Sequence, residues 1–401
     1  MNKSKFVSQS ETTLAQKISN NDCTITSKIQ GFLTDEHPDT PFLVVDLDVI
    51  AEKYLTLRGL LPNTQVYYAI KANPAPEILK LLVKLGSSFD VASVFEIEQC
   101  IAAGAKPERI SYGSTIKKAR DIAYAYELGV RQFAFDSLCE LEKIAANAPG
   151  ARVYCRLLMN NNEGAEWPLS RKFGCELDMA YDLLLDSRRL GLDPYGVSFH
   201  VGSQQTDPSK WDLPISKAAI LFSALKAAGV QLHMINLGGG LPARYRSEVL
   251  SVETYTIAIM KAMSRYFGSH MPEIMIEPGR SLVADAGVIQ SEVVVISHKS
   301  YAEKKRWVFL DIGMYNGLSE TMGECIKYRI RTPGNGGTVG PVILAGPTCD
   351  SADILYEKVS YELPINLKVG DKIEILSAGA YTTACTSVGF NGFPPLKAYY
   401  I

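Results

Sequence analysis

The sequence lacks the features that mark nucleic-acid-binding, membrane and secreted proteins. Its 41 lysine and arginine residues nearly balance 43 acidic residues, and a net charge of −2 gives no basis for binding an anionic polymer or membrane surface. No apolar run approaches the length of a bilayer span, and the N-terminal MNKSKFVSQSETTLAQK has no apolar core of a secretory signal. These absences predict a cytoplasmic protein.

Cysteine and histidine motifs are missing too. The eight cysteines include no Cys-x-x-Cys pair, and no Cys/His cluster has the spacing of metal ligands. We therefore expect no metal site, and thiols that are reduced and, with the exception of Cys349, mostly buried.

Alternating strand-like and helix-like segments fill the middle of the chain. Helical stretches follow short β-prone runs, and several of them end at a glycine suited to the left-handed end of a helix, namely Gly86, Gly104, Gly129 and Gly229. The β-prone runs are VYYAI (66–70), SSFDVAS (87–93), RISYGS (109–114), QFAFDS (132–137), RVYCRLLM (152–159), GVSFHVGS (196–203), HMINLGGG (233–240) and EIMIEPGR (273–280). Eight units in about 240 residues predict a (β/α)8 TIM barrel, with an open doubly wound sheet as the alternative.

After Arg280 the sequence changes character. Long helical stretches largely vanish, and glycine- and proline-rich loops separate the β-prone runs VIQSEVVVISH, RWVFLDIG, PVILAGPT and DKIEILSA. This pattern predicts a C-terminal antiparallel β domain, a sandwich or a barrel. We expect residues 45–283 to form the TIM barrel and residues 1–44 and 284–401 to form the β domain.

Chemically useful residues stand at the predicted C-terminal ends of the barrel strands, where the active sites of such barrels lie. Each has an ordinary explanation on its own: a surface lysine, a core histidine, a flexible glycine turn, or a carboxylate paired with a nearby arginine. Together they bring an amine, an imidazole, a carboxylate and a guanidinium to one face. The residues are Lys71, Asp90, Ser93, Arg156, His200, Ser203, Gly238–Gly240, Glu277 and Arg280.

One chemistry uses several of these groups. A lysine whose pKa is lowered by desolvation forms an imine with an aldehyde cofactor, which explains Lys71 at the mouth of a buried strand. Successive glycine N–H groups at 238–240 approach a phosphate closely, and Arg280 adds a planar cation to the same group. A carboxylate such as Glu277 keeps a pyridine nitrogen protonated, and the protonated ring withdraws electrons from a substrate's α-carbon.

The order of the motifs resembles that of fold-type III pyridoxal-phosphate decarboxylases. The segments YYAIKAN, FDVAS, FHVGSQ, LGGG, IEPGR, GPTCDSAD and GAYT extend this resemblance from about Pro41 to the C-terminus. The chain looks similar to ornithine/lysine decarboxylases, with diaminopimelate decarboxylase as a relative. The resemblance implies a homodimer with shared active sites, to which the CDSAD segment comes from the partner subunit.

The resemblance also implies roles for individual residues. Lys71 would be the Schiff-base lysine, Glu277 the partner of the pyridine nitrogen, and His200 the residue stacked on the ring. Cys349 would protonate the α-carbon after carbon dioxide leaves. The phosphate and the rest of the cofactor would be bound by Ser203, Gly238, Gly239, Gly240, Arg280, Tyr381, Asp90 and Arg156.

The candidate substrate contacts are Tyr315, Glu324 and Asp350. The ornithine-decarboxylase pattern has an aromatic residue followed by aspartate where this chain has Gly323 and Glu324. The acidic residues favour a substrate with a distal amine, which is ornithine (forming putrescine) or lysine (forming cadaverine).

Four alternatives remain open. Diaminopimelate decarboxylase needs basic partners for a distal carboxylate, and an alanine-racemase-like isomerase usually has a basic group at the pyridine nitrogen. A single-barrel cofactor carrier lacks the β domain. A non-catalytic relative of ornithine decarboxylase loses cofactor or catalytic residues, whereas Lys71, Glu277 and Cys349 are all present.

Overall fold

A computed structural model of the chain describes residues 25–159, 164–167, 171–333 and 337–401. Its helices in chain order are α1 (Ser27–Asp35), α2 (Leu47–Leu60), α3 (Pro76–Leu85), α4 (Val94–Ala102), α5 (Ala119–Glu127), α6 (Leu138–Asn147), α7 (Leu177–Arg189), α8 (Asp212–Ala227), α9 (Val252–Phe267) and α10 (Arg280–Val283). Its strands in chain order are β1 (Phe42–Val45), β2 (Thr64–Ala69), β3 (Ser88–Val91), β4 (Ile110–Tyr112), β5 (Gln132–Phe135), β6 (Arg152–Arg156), β7 (Ala165–Trp167), β8 (Asp193–Ser198), β9 (Ser203–Gln205), β10 (Met234–Asn236), β11 (Glu273–Ile276), β12 (Gly287–Ser297), β13 (Arg306–Leu310), β14 (Ile330–Arg331), β15 (Val339–Ala345), β16 (Ile354–Pro364), β17 (Lys372–Leu376) and β18 (Lys397–Tyr400).

Eight parallel strands form a closed barrel. Their order around it is β2, β3, β4, β5, β6, β8, β10 and β11, and the pairing of Ile276 with Val66 closes the ring. Each of the eight β-prone runs supplies one strand, so the predicted (β/α)8 barrel is confirmed and the open sheet is excluded. The barrel strands are buried on both faces, which explains why their sequences are nearly continuous apolar runs.

Local sequence signals set where the barrel helices begin and end. Ser93 Oγ accepts the N–H of Glu96 at 3.3 Å to cap α4, so this strand-end serine has a helix-capping contact. The four glycines expected at helix ends all have positive φ, from +82° to +101°. With parallel strands and short helices fixed in this way, the residues that follow the strands gather at one edge of the barrel.

The remaining long strands form a second, curled sheet. Strand β12 pairs with β1 and β17 along its first half and with β13 along its second, and its register shifts between Val293 and Val295. Most pairs are antiparallel as predicted, but β13–β15 and β1–β18 are parallel, so the sheet is mixed. A parallel pair cannot be joined by a tight hairpin, and β13 and β15 are accordingly far apart in the sequence.

Strand β1 belongs to this second sheet although it precedes the barrel in sequence. It pairs antiparallel with β12, where Phe42 lies opposite Gln290, and parallel with β18. These pairings support the division of the chain at residues 44/45 and 283/284, which stays a prediction.

The second sheet contacts the barrel beside Lys71. The backbone N–H of Tyr381 donates to the carbonyl of Ala72 at 2.7 Å, and Asn73 Nδ2 donates to the carbonyl of Gly379 at 2.9 Å. A Cβ atom at Gly379 would lie only 2.0 Å from the carbonyl oxygen of Val283, so this close approach requires glycine.

Among the described residues, no helix is both long and apolar enough to cross a membrane. The seven cysteines in this part of the chain are free thiols, and Cys23 lies outside it. The expectation of mostly buried thiols is wrong for the described residues, in which only Cys100, Cys155 and Cys175 are buried.

Candidate active site

Lys71 lies in the single 3-10 turn Ile70–Ala72, directly after β2. Its two neighbours in the turn are fully buried, whereas Lys71 itself is exposed. Within the described residues, its ammonium group makes no hydrogen bond or ion pair. The amine is therefore available to a bound group.

The pKa of Lys71 is raised, and the expectation that desolvation lowers it is wrong. Desolvation does act to lower the pKa, but the charge of Asp90 and then the effects of Tyr381 and Glu277 outweigh it. The resting amine is consequently cationic, and its deprotonation needs a change in this local charge balance.

Asp90 lies at the end of β3, beside Ala69 of the neighbouring strand. It is buried, and its Oδ1 has no hydrogen-bond partner in the described residues. Burial, followed by the charge of Glu277, raises the pKa of Asp90 well above its ordinary value. A buried carboxyl oxygen without a partner suits a site that binds a polar ligand.

Glu277 follows β11 and is held by Asn236. Asn236 Nδ2 donates to Glu277 Oε1, while Asn236 Oδ1 accepts the backbone N–H of Gly238 at 2.9 Å. Glu277 does not pair with Arg280, because the guanidinium of Arg280 pairs with the carboxylate of Glu320. Glu277 is thus oriented by an amide and makes no ion pair with Arg280.

His200 follows β8 and has a neutral ring. Its Nδ1 accepts the backbone N–H of Gly202 at 2.9 Å, which leaves Nε2 as the protonated nitrogen. Burial, followed by the charges of Arg156 and Lys71, lowers the pKa of His200 to about 3. An uncharged, fixed imidazole is suited to stack against an aromatic ring.

The glycine turn 238–240 lies between the segments that follow β8 and β11. A Cβ atom at Gly239 would lie 2.7 Å from the carbonyl oxygen of Glu277 and 3.3 Å from His200 Nε2. A Cβ atom at Gly240, whose φ is +105°, would lie 2.5 Å from the carbonyl oxygen of Gly202. Only glycines permit this packing of three backbone segments, a compact turn of the kind that binds anions.

Arg280 is the first residue of α10 and uses all five of its N–H donors. Nε and Nη2 donate to Ser203 Oγ at 3.3 and 3.2 Å, and Nη1 donates to Tyr245 Oη at 2.7 Å. Both terminal nitrogens also donate to the two carboxylate oxygens of Glu320, with Nη1 at 2.6 Å from Oε2.

Tyr381 covers the guanidinium of Arg280, with 4.8 Å between its ring centroid and the guanidinium carbon. The φ angle of Tyr381 is +63°. This backbone conformation is energetically costly for a tyrosine, and such conformations cluster at functional sites. Arg156, at the end of β6, stacks on the ring of Phe173 and contributes positive charge near Lys71.

Three other predicted site residues, Tyr315, Cys349 and Asp350, lie in a loop cluster that also contains Phe390 and Asn391. The rings of Tyr315 and Phe390 lie 4.6 Å apart, and Asn391 Oδ1 accepts the backbone N–H of Cys349 at 2.9 Å. Desolvation, followed by a hydrogen bond to Asp350, raises the pKa of Tyr315. Cys349 is exposed.

The buried Asp353 connects the segments of the loop cluster through hydrogen bonds. Its Oδ1 accepts the backbone N–H of Met314 at 2.8 Å, and its Oδ2 accepts the hydroxyl of Thr348 at 2.7 Å. A Cβ atom at Gly313 or Gly346 would lie 2.3 Å from the Asp353 carboxylate. The buried aspartate therefore ties the segment of Tyr315 to the loop of Cys349.

Glu324, a predicted substrate contact, has backbone partners within its own chain. Its carboxylate accepts the backbone N–H groups of Glu357, Lys358 and Val359 at 2.7–2.8 Å. Although desolvation acts to raise the pKa of Glu324, these three bonds lower it. The carboxylate of Glu324 therefore binds the backbone of β16. The preceding residue, Gly323, has a φ of +63°, which shapes the turn.

The barrel-edge residues Lys71, Asp90, His200, Glu277 and Arg280 form the group around Lys71. No hydrogen bond or ion pair in the described residues joins the loop cluster to this group. A cavity of about 680 Å³ lies elsewhere, between α8 and α9, and touches the strand-end residues only at Val201. The chemically useful groups and this cavity are therefore in different places, and the polar groups are the better guide to function.

The residues at the barrel edge fit pyridoxal phosphate. They combine an unpaired amine, an oriented carboxylate, a neutral imidazole, a close-packed glycine turn and a guanidinium. Sequence reasoning missed Asn236, Tyr245, Glu320 and Asp353. Asn236 stands next to the recognised glycine motif, but no local pattern pointed to Glu320, which lies 40 residues from Arg280.

Comparisons with known proteins agree with this geometry. The family model described as the pyridoxal binding domain of pyridoxal-dependent decarboxylases matches residues 47–284. The lysine/ornithine decarboxylase of Selenomonas ruminantium is 36% identical over 356 residues, which cover 88% of each chain. Antizyme inhibitor 2 of Xenopus laevis is 32% identical over 374 residues, which cover 90% of this chain and 80% of that protein.

The fold has solved counterparts as well. The lysine/ornithine decarboxylase of Vibrio vulnificus, crystallised with cadaverine, superposes with a TM-score of 0.84 at 30% identity. The superposition covers 94% of this chain and all of that one.

Proposed function

This chain belongs to the family of pyridoxal-dependent decarboxylases, and on that premise we propose that it decarboxylates a basic L-amino acid, with lysine or ornithine as the substrate. Its cofactor is pyridoxal phosphate. The observation that carries the proposal is the convergence of Lys71, Asp90, His200 and Glu277 at one edge of the barrel.

The bound cofactor supplies an electron-withdrawing ring that allows the α-carboxylate to leave. Lys71 would hold its aldehyde carbon, and Glu277, oriented by Asn236, would hold a proton at the ring nitrogen. The neutral His200 adds no positive charge to the face on which it stacks. Ser203, Arg280 and the glycine turn would bind the phosphate, with Tyr381 covering Arg280.

The loop cluster would act on the site of a second copy in a homodimer. Cys349 Sγ would donate the proton to the α-carbon, and Asp350 with Tyr315 would bind the distal ammonium. Two observations support this: Cys349 is exposed, and no bond in the described residues links the loop cluster to the Lys71 group of the same chain. We expect neither nucleic-acid nor membrane partners.

The engagement of Glu324 with β16 makes Asp350 the candidate for distal-amine recognition. Its negative charge favours a distal amine over the distal carboxylate of diaminopimelate. Ornithine and lysine differ by one methylene, and the proposal includes both.

The test is a substrate panel. Purified protein with pyridoxal phosphate is incubated with lysine, ornithine, arginine, 2,4-diaminobutyrate and meso-diaminopimelate, and the amine products are identified by mass, with Lys71→Ala as the blank. Cadaverine or putrescine is expected. Lysine formed from diaminopimelate would contradict the role of Asp350.

Two carboxylates of the β domain form a matched pair for this assay. Asp350→Asn should raise the KM for the diamino acid by about tenfold or more, because a charged hydrogen bond to the distal ammonium is lost. Glu324→Gln should leave KM unchanged while lowering stability. An equal effect of the two variants on KM would refute the assignment.

The similarity to antizyme inhibitor 2 favours one second candidate, a non-catalytic binding protein. The presence of Lys71, Glu277 and Cys349 argues for catalysis instead. Binding of the cofactor without any amine product from the panel would select this candidate.

A further inference from the structure

The guanidinium of Arg280 has a carboxylate partner that the proposed function does not use. Glu320 lies in the turn Ser319–Glu324, outside the barrel, and it contacts both terminal nitrogens of Arg280 in a bidentate pair. Both side chains are buried, with 4% of Arg280 and 9% of Glu320 exposed. The pair therefore brings a negative charge from the β-domain side to the proposed phosphate site.

Arg280 is also held without Glu320. Ser203 accepts two of its N–H groups, Tyr245 accepts a third, and the ring of Tyr381 covers its face. These three contacts involve neutral groups and come from different elements. Removing the charge of Glu320 would thus leave the guanidinium in place, but without a counter-charge.

The negative charge of a phosphate group bound at Arg280 would interact unfavourably with the carboxylate of Glu320. At neutral pH a phosphate monoester carries between 1.5 and 2 negative charges. A buried carboxylate bound to the same guanidinium repels that phosphate and shares the cation that would attract it. The glycine turn and Ser203 remain as the uncharged part of the phosphate site.

We propose that Glu320 is a built-in counter-ion of Arg280 that lowers the affinity of the site for the phosphate group of the cofactor. The inference rests on the proposed function, because it takes the glycine turn, Ser203 and Arg280 as the phosphate site. Its consequence is a cofactor bound less tightly, and more readily exchanged, than this arginine alone would allow.

Glu320→Gln tests the proposal through binding. The dissociation constants of pyridoxal phosphate and of unphosphorylated pyridoxal are measured by absorbance titration of the apoenzyme. The variant should bind pyridoxal phosphate about tenfold more tightly relative to pyridoxal than the native protein does, because one buried like charge is removed. A gain of affinity is informative, since a merely damaged protein does not gain it.

Glu140→Gln is the matched control. Glu140 is another buried carboxylate with two cationic partners, Lys117 at 2.9 Å and Lys143 at 2.6 Å, and it contacts none of the phosphate-site residues. Its loss should lower stability and leave the ratio of the two dissociation constants unchanged. A similar shift of the ratio in both variants would overturn the proposal.

Inorganic phosphate gives a readout that does not depend on pyridoxal chemistry. Phosphate should raise the melting temperature of Glu320→Gln more than that of the native protein, because the anion replaces the missing counter-charge. An unchanged or smaller effect refutes the proposal, and so does a variant that fails to fold even in high phosphate. Failure of the native protein to form any amine would instead refute the proposed function and leave this comparison valid.

Discussion

The group around Lys71 and the loop cluster are built in opposite ways. The first comes from the ends of parallel strands, where the register of a closed barrel fixes every neighbour, and its key members Asp90 and Arg280 are buried. The second comes from loops of the mixed sheet, with Cys349 exposed and a single buried aspartate, Asp353, as its anchor. The comparison teaches that the barrel edge of one chain assembles the proposed cofactor site, whereas the proposed proton donor Cys349 belongs to loops that no hydrogen bond or ion pair in the described residues joins to it.

Complementation between inactive variants tests this division most strongly. Lys71→Ala and Cys349→Ala are each expected to lose at least about a thousandfold in kcat, since each removes a group that is proposed to react. If the two halves act across a dimer, co-expression should restore about a quarter of native activity through mixed dimers that contain one intact site. Steady-state amine production measures the effect.

The controls for complementation are the two variants expressed separately and mixed only at assay, before subunits exchange. Activity that stays at the single-variant level after co-expression, with mixed dimers verified by differential tags, would contradict a shared site.

A substitution that destabilises only the loop cluster distinguishes its role from that of the group around Lys71. Asp353→Asn replaces an acceptor of several bonds with an amide that cannot accept all of them, at a cost of about 2 kcal/mol. We expect kcat to fall by about tenfold or more while the dissociation constant of pyridoxal phosphate stays unchanged, because the barrel edge is not touched. Weakened cofactor binding would show that the two regions are coupled within one chain.

The smallest expected effect concerns the barrel edge and pH. His200 has a pKa of about 3 when folded and about 6.5 when unfolded, so below pH 6.5 the unfolded chain binds a proton that the folded chain refuses. Stability is therefore lost as pH falls, by up to about 2 kcal/mol between pH 6.5 and 5.

Denaturant unfolding of the apoprotein at several pH values measures this dependence. In His200→Phe the same interval should show a correspondingly smaller loss, with the carboxylates as a common background. An identical pH slope in both proteins would mean that the imidazole is protonated in the folded state.

Sequence reasoning reached the barrel-edge residues because strand ends are predictable. A short apolar run ends where polar and small residues begin, and parallel strands bring all such ends to one edge. The same reasoning was wrong about the pKa of Lys71, since the carboxylates that raise it belong to other strands. It also did not anticipate the partners of Glu324, which are backbone amides of β16 more than 30 residues away.

The sequence by itself determined the alternation of strands and helices, their caps, and the set of reactive side chains that match a pyridoxal-dependent decarboxylase. These follow from local periodicity and residue chemistry. Only the tertiary structure decided which carboxylate pairs with Arg280, that Asn236 holds Glu277, and that Glu324 accepts backbone N–H groups of β16. Such pairings join residues distant in sequence, and their energies depend on burial and distance, which no local pattern records.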